Sequence, residues 1–346
     1  MRAPTAAGGA SARVFGSHEG AVVHEITLRS DAGLEAKILT WGAVIRDLSL
    51  PMPGGLRRSL VLGFESFDAY QHHSGYFGAV VGRYANRIAG GSFTLDGRAV
   101  QLDRNEAGCT TLHGGTVGFS SRVWTLVDLS GHHVTLALTS ADGDQGFPGE
   151  VRALCSYTLG PGNRLEFAVF AQTSRPTPVN LAQHSYFNLD GGPDLQGHLL
   201  TVHADAYTPV GDAMIPTGAI LPVKATAYDF TAARALTATA PVLNHNFVLR
   251  PLETGADLRP AAELVSLRSG IRLRVTTTKP GVQIYDGHLL DVAVGGLGGT
   301  IYGAKSGLCL ETQYFPDSPN QPRFPNAILA PGTEYRHRTV YAFGRQ

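Results

Sequence analysis

Charge is scarce in this sequence. Asp, Glu, Lys and Arg make up 16% of the 346 residues, against about 25% in an ordinary soluble domain. The 28 basic and 28 acidic side chains cancel, so no global field draws the protein to nucleic acid or to an anionic membrane. Cysteine is equally thin. Cys109, Cys155 and Cys309 are odd in number and widely spaced, which signals neither a disulfide framework nor a Cys-x-x-Cys redox or zinc site and leaves all three expected as small buried apolar residues. No run approaches the ~18 uninterrupted apolar residues of a membrane span, and Met1 to Arg13 lacks the apolar core of a secretory signal. A soluble, cytoplasmic protein is therefore expected, with residues 1–13 as a flexible N-terminal segment.

What the chain does have is glycine and alternation. Its 42 glycines are about 12% of the residues, against a usual 7% or so, which suits a fold that turns often. Hydrophobic residues at 43% supply a sizeable core and exclude disorder. Apolar residues recur with period two: Ile271, Leu273 and Val275 face one way and Arg272, Arg274 and Thr276 the other. Leu165, Phe167, Val169 and Ala171 make a similar face, as do Val134, Leu136 and Leu138. Turn signals punctuate these runs at Asp96-Gly97, Gly160-Pro161-Gly162-Asn163 and Asp190-Gly191-Gly192-Pro193. Helical patterns are few, the best being the Ala-rich Thr231 to Ala240. The reading is one all-β antiparallel domain over residues 1–346, most simply a multi-strand sandwich, with a barrel still open.

Polar residues on strand faces that should be apolar are the informative ones, because burial without a partner is costly. Three segments qualify: Gly82-Arg83-Tyr84-Ala85-Asn86-Arg87-Ile88, Leu112-His113-Gly114-Gly115, and Asn180-Leu181-Ala182-Gln183-His184-Ser185-Tyr186-Phe187-Asn188-Leu189. In the second, the two glycines let backbone approach a ligand closely. In the third, a strand would put Asn180, Ala182, His184 and Tyr186 on one face. Leu308 to Gln313 likewise puts Cys309, Glu311 and Gln313 together, a carboxylate inside an otherwise apolar strand. Each has a plainer reading. A strand histidine is often just hydrogen-bonded, Asn86 can cap a turn, and Glu311 can be half of an ion pair with Arg87 as its obvious partner. His72-His73 and His132-His133 lack metal-motif spacing, and Gly295 to Gly299 lacks the Gly-Lys-Ser/Thr of a phosphate loop. No Gly-x-Ser-x-Gly elbow offers a nucleophile.

Taken together, these segments resemble the aldose 1-epimerase (galactose mutarotase) family from about Val14 to Phe343. The matching stretches are Gly-Arg-Tyr-Ala-Asn-Arg-Ile-Ala at 82–89, Leu-His-Gly-Gly at 112–115 and Pro-Val-Asn-Leu-Ala-Gln-His-Ser-Tyr-Phe-Asn-Leu at 178–189. Pro-Gly-Val-Gln at 280–283, Leu-Glu-Thr-Gln at 310–313, and then Asn320-Gln321-Pro322 and Phe324-Pro325 complete the set. The resemblance implies a large antiparallel β-supersandwich with few short helices and a carbohydrate site in an open cleft. It implies interconversion of the α and β anomers of a free monosaccharide without metal or cofactor, in a monomer or homodimer. Glu311 matches the base and His184 the acid, while Asn86, Arg87, His113 and Gln283 match sugar-binding positions and Tyr186 can pack on the sugar's apolar face.

That chemistry removes a proton from the anomeric hydroxyl O1 and delivers one to ring oxygen O5. An ionised carboxylate and a protonated imidazole, whose unperturbed pKa values are about 4.3 and 6.5, suit the two tasks. The chain departs from the family's pattern at Asn244, where members commonly carry Asp. Asn keeps an acceptor oxygen, loses a charge and gains a donor. Lys279 and Asp286 are also unusual and read either as an exposed pair or as tuning for an uncommon sugar. A non-catalytic sugar-binding protein and a lyase or isomerase on a sugar-like substrate are the alternatives; a glycosidase is disfavoured because it normally needs two carboxylates.

Overall fold

The computed structural model describes residues 9–345. Three antiparallel sheets carry most of it. A nine-stranded sheet runs in the spatial order Thr125–Ser130, His133–Ser140, Val151–Gly160, Arg164–Thr173, Tyr335–Arg345, Ile271–Thr277, Arg259–Ser266, His198–Val202 and Arg234–Ala235. A six-stranded sheet runs Tyr186–Phe187, Leu308–Gln313, Gly281–Tyr285, Asn244–Leu249, Ala204–Thr208 and Leu221–Pro222. A five-stranded meander, Ser11–His18, Ala21–Arg29, Glu35–Leu39, Ile45–Pro51 and Arg57–Ser59, completes the set. Among the described residues one α-helix forms, Phe67–His72, with Ser66 Oγ capping it by accepting from Ala69 N. No helix among them is long and apolar enough to cross a membrane.

The period-two segments are strands with one buried face: Ile271–Thr277 and Arg164–Thr173 alternate between buried and more exposed positions along almost their whole length. Asp96 and Gly97, both at positive φ, close the hairpin between Ser92–Leu95 and Arg98–Gln101, as the dipeptide predicts. Two expectations fail. Thr231 to Ala240 is not helical. Arg234 and Ala235 pair with Leu200 and Leu199 on a sheet edge instead, because a ten-residue Ala-rich stretch without an apolar stripe is marginal as a helix and gains little by packing. Ser11 to Arg13, assigned to a flexible segment, are strand residues paired with Thr27, Ile26 and Glu25, and residues 1–8 lie outside the described part.

The core unites all three sheets, from Ile26 and Ile45 through Val134, Phe167 and Leu273 to Val282, Ile284, Leu308 and Leu310. The last four matter for function. They fix one face of the six-stranded sheet against the core, so alternation turns Gln283, Tyr285, Cys309 and Glu311 to the opposite face. Register then assembles a polar row: Asn246 pairs with Gln283 and Gln283 with Glu311, while Asn244, Tyr285, Cys309 and Tyr186 form the neighbouring row.

Candidate active site

The polar face of this sheet is roofed by the loops that carry the other recognisable segments. The strand expected over Asn180 to Leu189 breaks into Ala182–Gln183 and Tyr186–Phe187, with His184 in the gap. There its backbone N donates to Ala79 O and its carbonyl accepts from Gly78 N, which fixes the imidazole over the sheet. Asn180 serves the scaffold, donating to Ala85 O and Tyr314 O. Arg83 does too: it is buried and spends its guanidinium on the carbonyls of Pro148, Gly149, Ser140 and Ala141. Gly114 acts on the protein, not on a ligand. A Cβ there would sit 2.0 Å from Gly82 O, so glycine lets the His113 loop lie directly on the Gly82-Arg83 backbone, and neither Gly114 nor Gly115 lines the cavity.

The cavity is about 270 Å³ and is walled by Tyr76, Asn86, Arg87, Glu106, His113, His184, Tyr186, Asn244, Tyr285 and Glu311, among others. That is the lower end of small-molecule sites, a size for one sugar ring. Cavities of about 350, 360 and 780 Å³ lie elsewhere, but this one gathers the strongly perturbed acid–base groups, and chemistry outranks volume. Of the eight residues expected at the site, seven line it. Gln283 stands behind, donating from Nε2 to Asn244 Oδ1 at 2.8 Å. The segments did not reveal Tyr76, Glu106 or Tyr285. Tyr285 was legible, since it alternates with Gln283, whereas Glu106 sits in an irregular loop with no periodic signal.

Arg87 does not pair with Glu311. Its Nε and Nη2 grip Glu106 at 2.7 and 2.5 Å, and this leaves Glu311 Oε2 without a hydrogen bond among the described residues. That oxygen lies 3.6 Å from His184 Nε2, with both side chains nearly inaccessible. Burial pushes the Glu311 carboxyl up to about 8, partly opposed by Arg87, and pushes the His184 imidazole down to about 4. The pair therefore holds one proton across the neutral range, resting on the carboxyl when the site is empty. The ordinary values of the two side chains would put it on the imidazole, as the sequence led us to expect. Burial reverses the resting location and extends the one-proton range, which ordinary values would end at about pH 6.5, up to about pH 8. His113, beside His184 at a ring-centroid distance of 5.2 Å, is held well below the ordinary histidine value by burial and then by His184 and Arg87, so it is neutral.

The tautomers follow from the outer nitrogens. His113 Nδ1 accepts from Asn86 N at 3.1 Å, so the neutral ring carries its proton on Nε2. His184 Nδ1 contacts Cys309 Sγ at 3.6 Å. Cys309 is buried as expected but is more than packing, and Cys109, expected buried, is exposed. His113, His184 and Glu311 each place a possible ligand atom within 4.8 Å of the others, the constellation among the described residues that could hold a metal. The Asn86 hydrogen bond works against this, because a ring whose Nδ1 lone pair is engaged offers an N–H, not a lone pair, at Nε2.

Lys279 and Asp286 are neither exposed nor paired with each other. Lys279 is buried over the rings of Tyr335 and Tyr314, at 3.8 and 4.3 Å, and donates to Arg336 O; burial lowers its pKa well below the usual lysine value. Asp286 is buried against His288 Nδ1 at 2.8 Å and Lys305 Nζ at 3.5 Å. Neither reaches the cavity wall.

Comparison with known proteins places the whole chain among relatives of one family. The galactose mutarotase of Rattus norvegicus is 43% identical over 331 residues, 94% of this chain and 95% of that protein. The aldose 1-epimerase of Escherichia coli (strain K12) is 37% identical over 330 residues, covering 92% and 94%. The solved structure of an aldose epimerase homologue from C. elegans superposes with a TM-score of 0.87 at 31% identity, covering 93% of this chain and 98% of that one. With the aldose 1-epimerase family model matching residues 24–342, the chain belongs to the aldose 1-epimerase family.

Proposed function

We propose that this chain, as a single catalytic domain, interconverts the α and β anomers of a free aldose, with Glu311 as base and His184 as acid. The observation that carries the reading is the buried Glu311–His184 pair, 3.6 Å apart, with an unpartnered carboxylate oxygen in a cavity sized for one sugar. Relatives named galactose mutarotase and aldose 1-epimerase support it.

In the opening half-reaction Glu311 takes the O1 proton, the O1 electron pair forms the C1=O1 double bond, and the C1–O5 bond breaks as O5 takes the proton from His184 Nε2. Rotation about C1–C2 presents the other carbonyl face, and the same transfers run backward to close the ring. The shared proton explains how both directions proceed. The empty site favours protonated Glu311 and neutral His184, which is also the arrangement needed to close the aldehyde. A bound aldose donates its O1 hydroxyl to Glu311, stabilises the carboxylate and moves the proton to the imidazole. Neutral His113 adds a donor without adding a positive charge that would oppose this shift. A positioned acid and base contribute ~10²–10⁴-fold each.

Polarimetry tests this. Freshly dissolved α-D-glucose or α-D-galactose should relax faster with the protein than without it. A relaxation rate unchanged for glucose, galactose, xylose and arabinose would remove the proposal.

A further inference from the structure

The polar side chains around the cavity share a bias. Asn86 Oδ1 accepts the backbone N–H of Arg87 at 2.9 Å, and His113 Nδ1 accepts that of Asn86 at 3.1 Å. Asn244 Oδ1 accepts from Gln283 Nε2 at 2.8 Å, and Tyr285 Oη accepts from Leu289 N at 3.3 Å. In each case an acceptor is engaged within the protein: the one lone pair of His113 Nδ1 is used up, the oxygens of Asn86, Asn244 and Tyr285 keep one further lone pair each, and all four side chains retain an N–H or O–H. Arg87 adds the donors that Glu106 leaves free. The carboxylate on the wall outside the Arg87–Glu106 pair is Glu311, which the reaction uses at O1. A neutral sugar brings several hydroxyl hydrogens to such a wall and finds mostly donors.

Charge points the same way. The Arg87–Glu106 pair cancels, His113 is neutral, and Asn244 is uncharged. Asn244 and Tyr285 are cross-strand partners on the same sheet face and both line the cavity, so they offer it donors from neighbouring positions, and two such donors without a neighbouring charge on their own row match the two oxygens of a carboxylate. Asp286, next in sequence, is buried and engaged with His288 and Lys305.

Resting on the mutarotase reading, we propose that the site also takes acidic aldoses, sugars whose ring carries a carboxylate as in the uronic acids, with that carboxylate held by Asn244 Nδ2 and Tyr285 Oη. The ring-opening chemistry is unchanged, because O1 and O5 keep their places at Glu311 and His184.

Anomer exchange followed by NMR at pH 7, with D-glucuronate and D-galacturonate beside D-glucose and D-galactose, is the test. The wild-type protein should exchange at least one uronate with kcat/KM within about tenfold of the better neutral sugar. Asn244→Asp places a like charge against the carboxylate and should lower the uronate-to-neutral ratio of kcat/KM by about tenfold or more. Tyr285→Phe, which removes one donor and adds no charge, should lower the same ratio through KM. A protein that exchanges neutral aldoses but accelerates neither uronate overturns this inference and leaves the mutarotase reading standing, as does a ratio unmoved by both variants. Failure on all four sugars overturns this inference, and failure on xylose and arabinose as well overturns both.

Discussion

The two faces of the strand Leu308–Gln313 are equally buried and chemically opposite. On the core side, Thr312 Oγ1 sits 3.0 Å from His337 Nε2 and 2.6 Å from Thr339 Oγ1, Thr339 meets Thr277 at 3.0 Å, and His337 Nδ1 reaches Leu181 O at 2.9 Å. On the cavity side, Glu311 Oε2, Gln283 Oε1, and both amide atoms of Gln313 and of Asn246 have no hydrogen-bond partner among the described residues. Each face has its buried histidine, and burial lowers the pKa of both. What separates them is satisfaction. His337 has both ring nitrogens committed to the protein, whereas His184 turns one toward an unpartnered carboxylate. Burial alone marks neither site nor scaffold. Unmet hydrogen-bonding capacity beside a cavity is the mark of the site.

Substitution separates the faces further. Glu311→Gln keeps the shape and removes the base, so kcat should fall by ~10²–10⁴-fold. Thermal melting should show no loss of stability, because a desolvated, unpartnered carboxyl contributes nothing favourable to the fold. A variant that melts markedly lower would mean that Glu311 is scaffold after all.

The histidines should then trade phenotypes. His184→Asn should cost ~10²–10⁴-fold in rate with a stability change within about 1 kcal/mol. His337→Asn breaks three buried contacts and should cost about 2–4 kcal/mol in denaturant unfolding while the folded fraction keeps its kcat. If His337→Asn lowered kcat as far as His184→Asn does, the contrast between the faces would collapse.

How far these faces could be read beforehand differs as well. Period-two runs such as Ile271 to Thr276 announce strands because their outer positions are solvated, and Asp96-Gly97 announces its hairpin through local backbone preference. Glu311 was conspicuous as a carboxylate in an apolar strand. The network around Thr312 and His337 was silent, since threonine and histidine fit a strand without comment and their pairing depends on contacts between sheets. Arg87's choice of Glu106 over Glu311 was equally hidden, because it depends on how a loop folds over the sheet. The direction of the pKa shifts needed burial, which single residues do not display. Gly114 illustrates the limit: the need for glycine was legible, but its reason, contact with the Gly82 peptide, was not.

Cys309 offers a smaller test on the cavity face. Its contact with His184 Nδ1 at 3.6 Å favours the tautomer with the proton on Nδ1, donated to the sulfur, which leaves Nε2 free to take and return the shared proton, and a single hydrogen bond is worth about 0.5–1.5 kcal/mol. Cys309→Ala should therefore lower kcat by roughly two- to tenfold with KM little changed, and Cys309→Ser should recover most of the loss. ¹⁵N chemical shifts of the His184 ring should show the tautomer mixture change in the Ala variant only.

The most direct measurement is the pH dependence of kcat/KM for anomer exchange, which reports the ionisations of the free protein. A pair holding a single shared proton is competent only while it holds one. The rate should fall below about pH 4, where His184 takes a second proton and no base remains. It should fall again above about pH 8, where Glu311 gives up the last one and no acid remains. A bell with those two limbs, the lower lost with His184→Asn, is the expected result. A rate that keeps rising through pH 8, or a profile with a single limb, would contradict the shared-proton account.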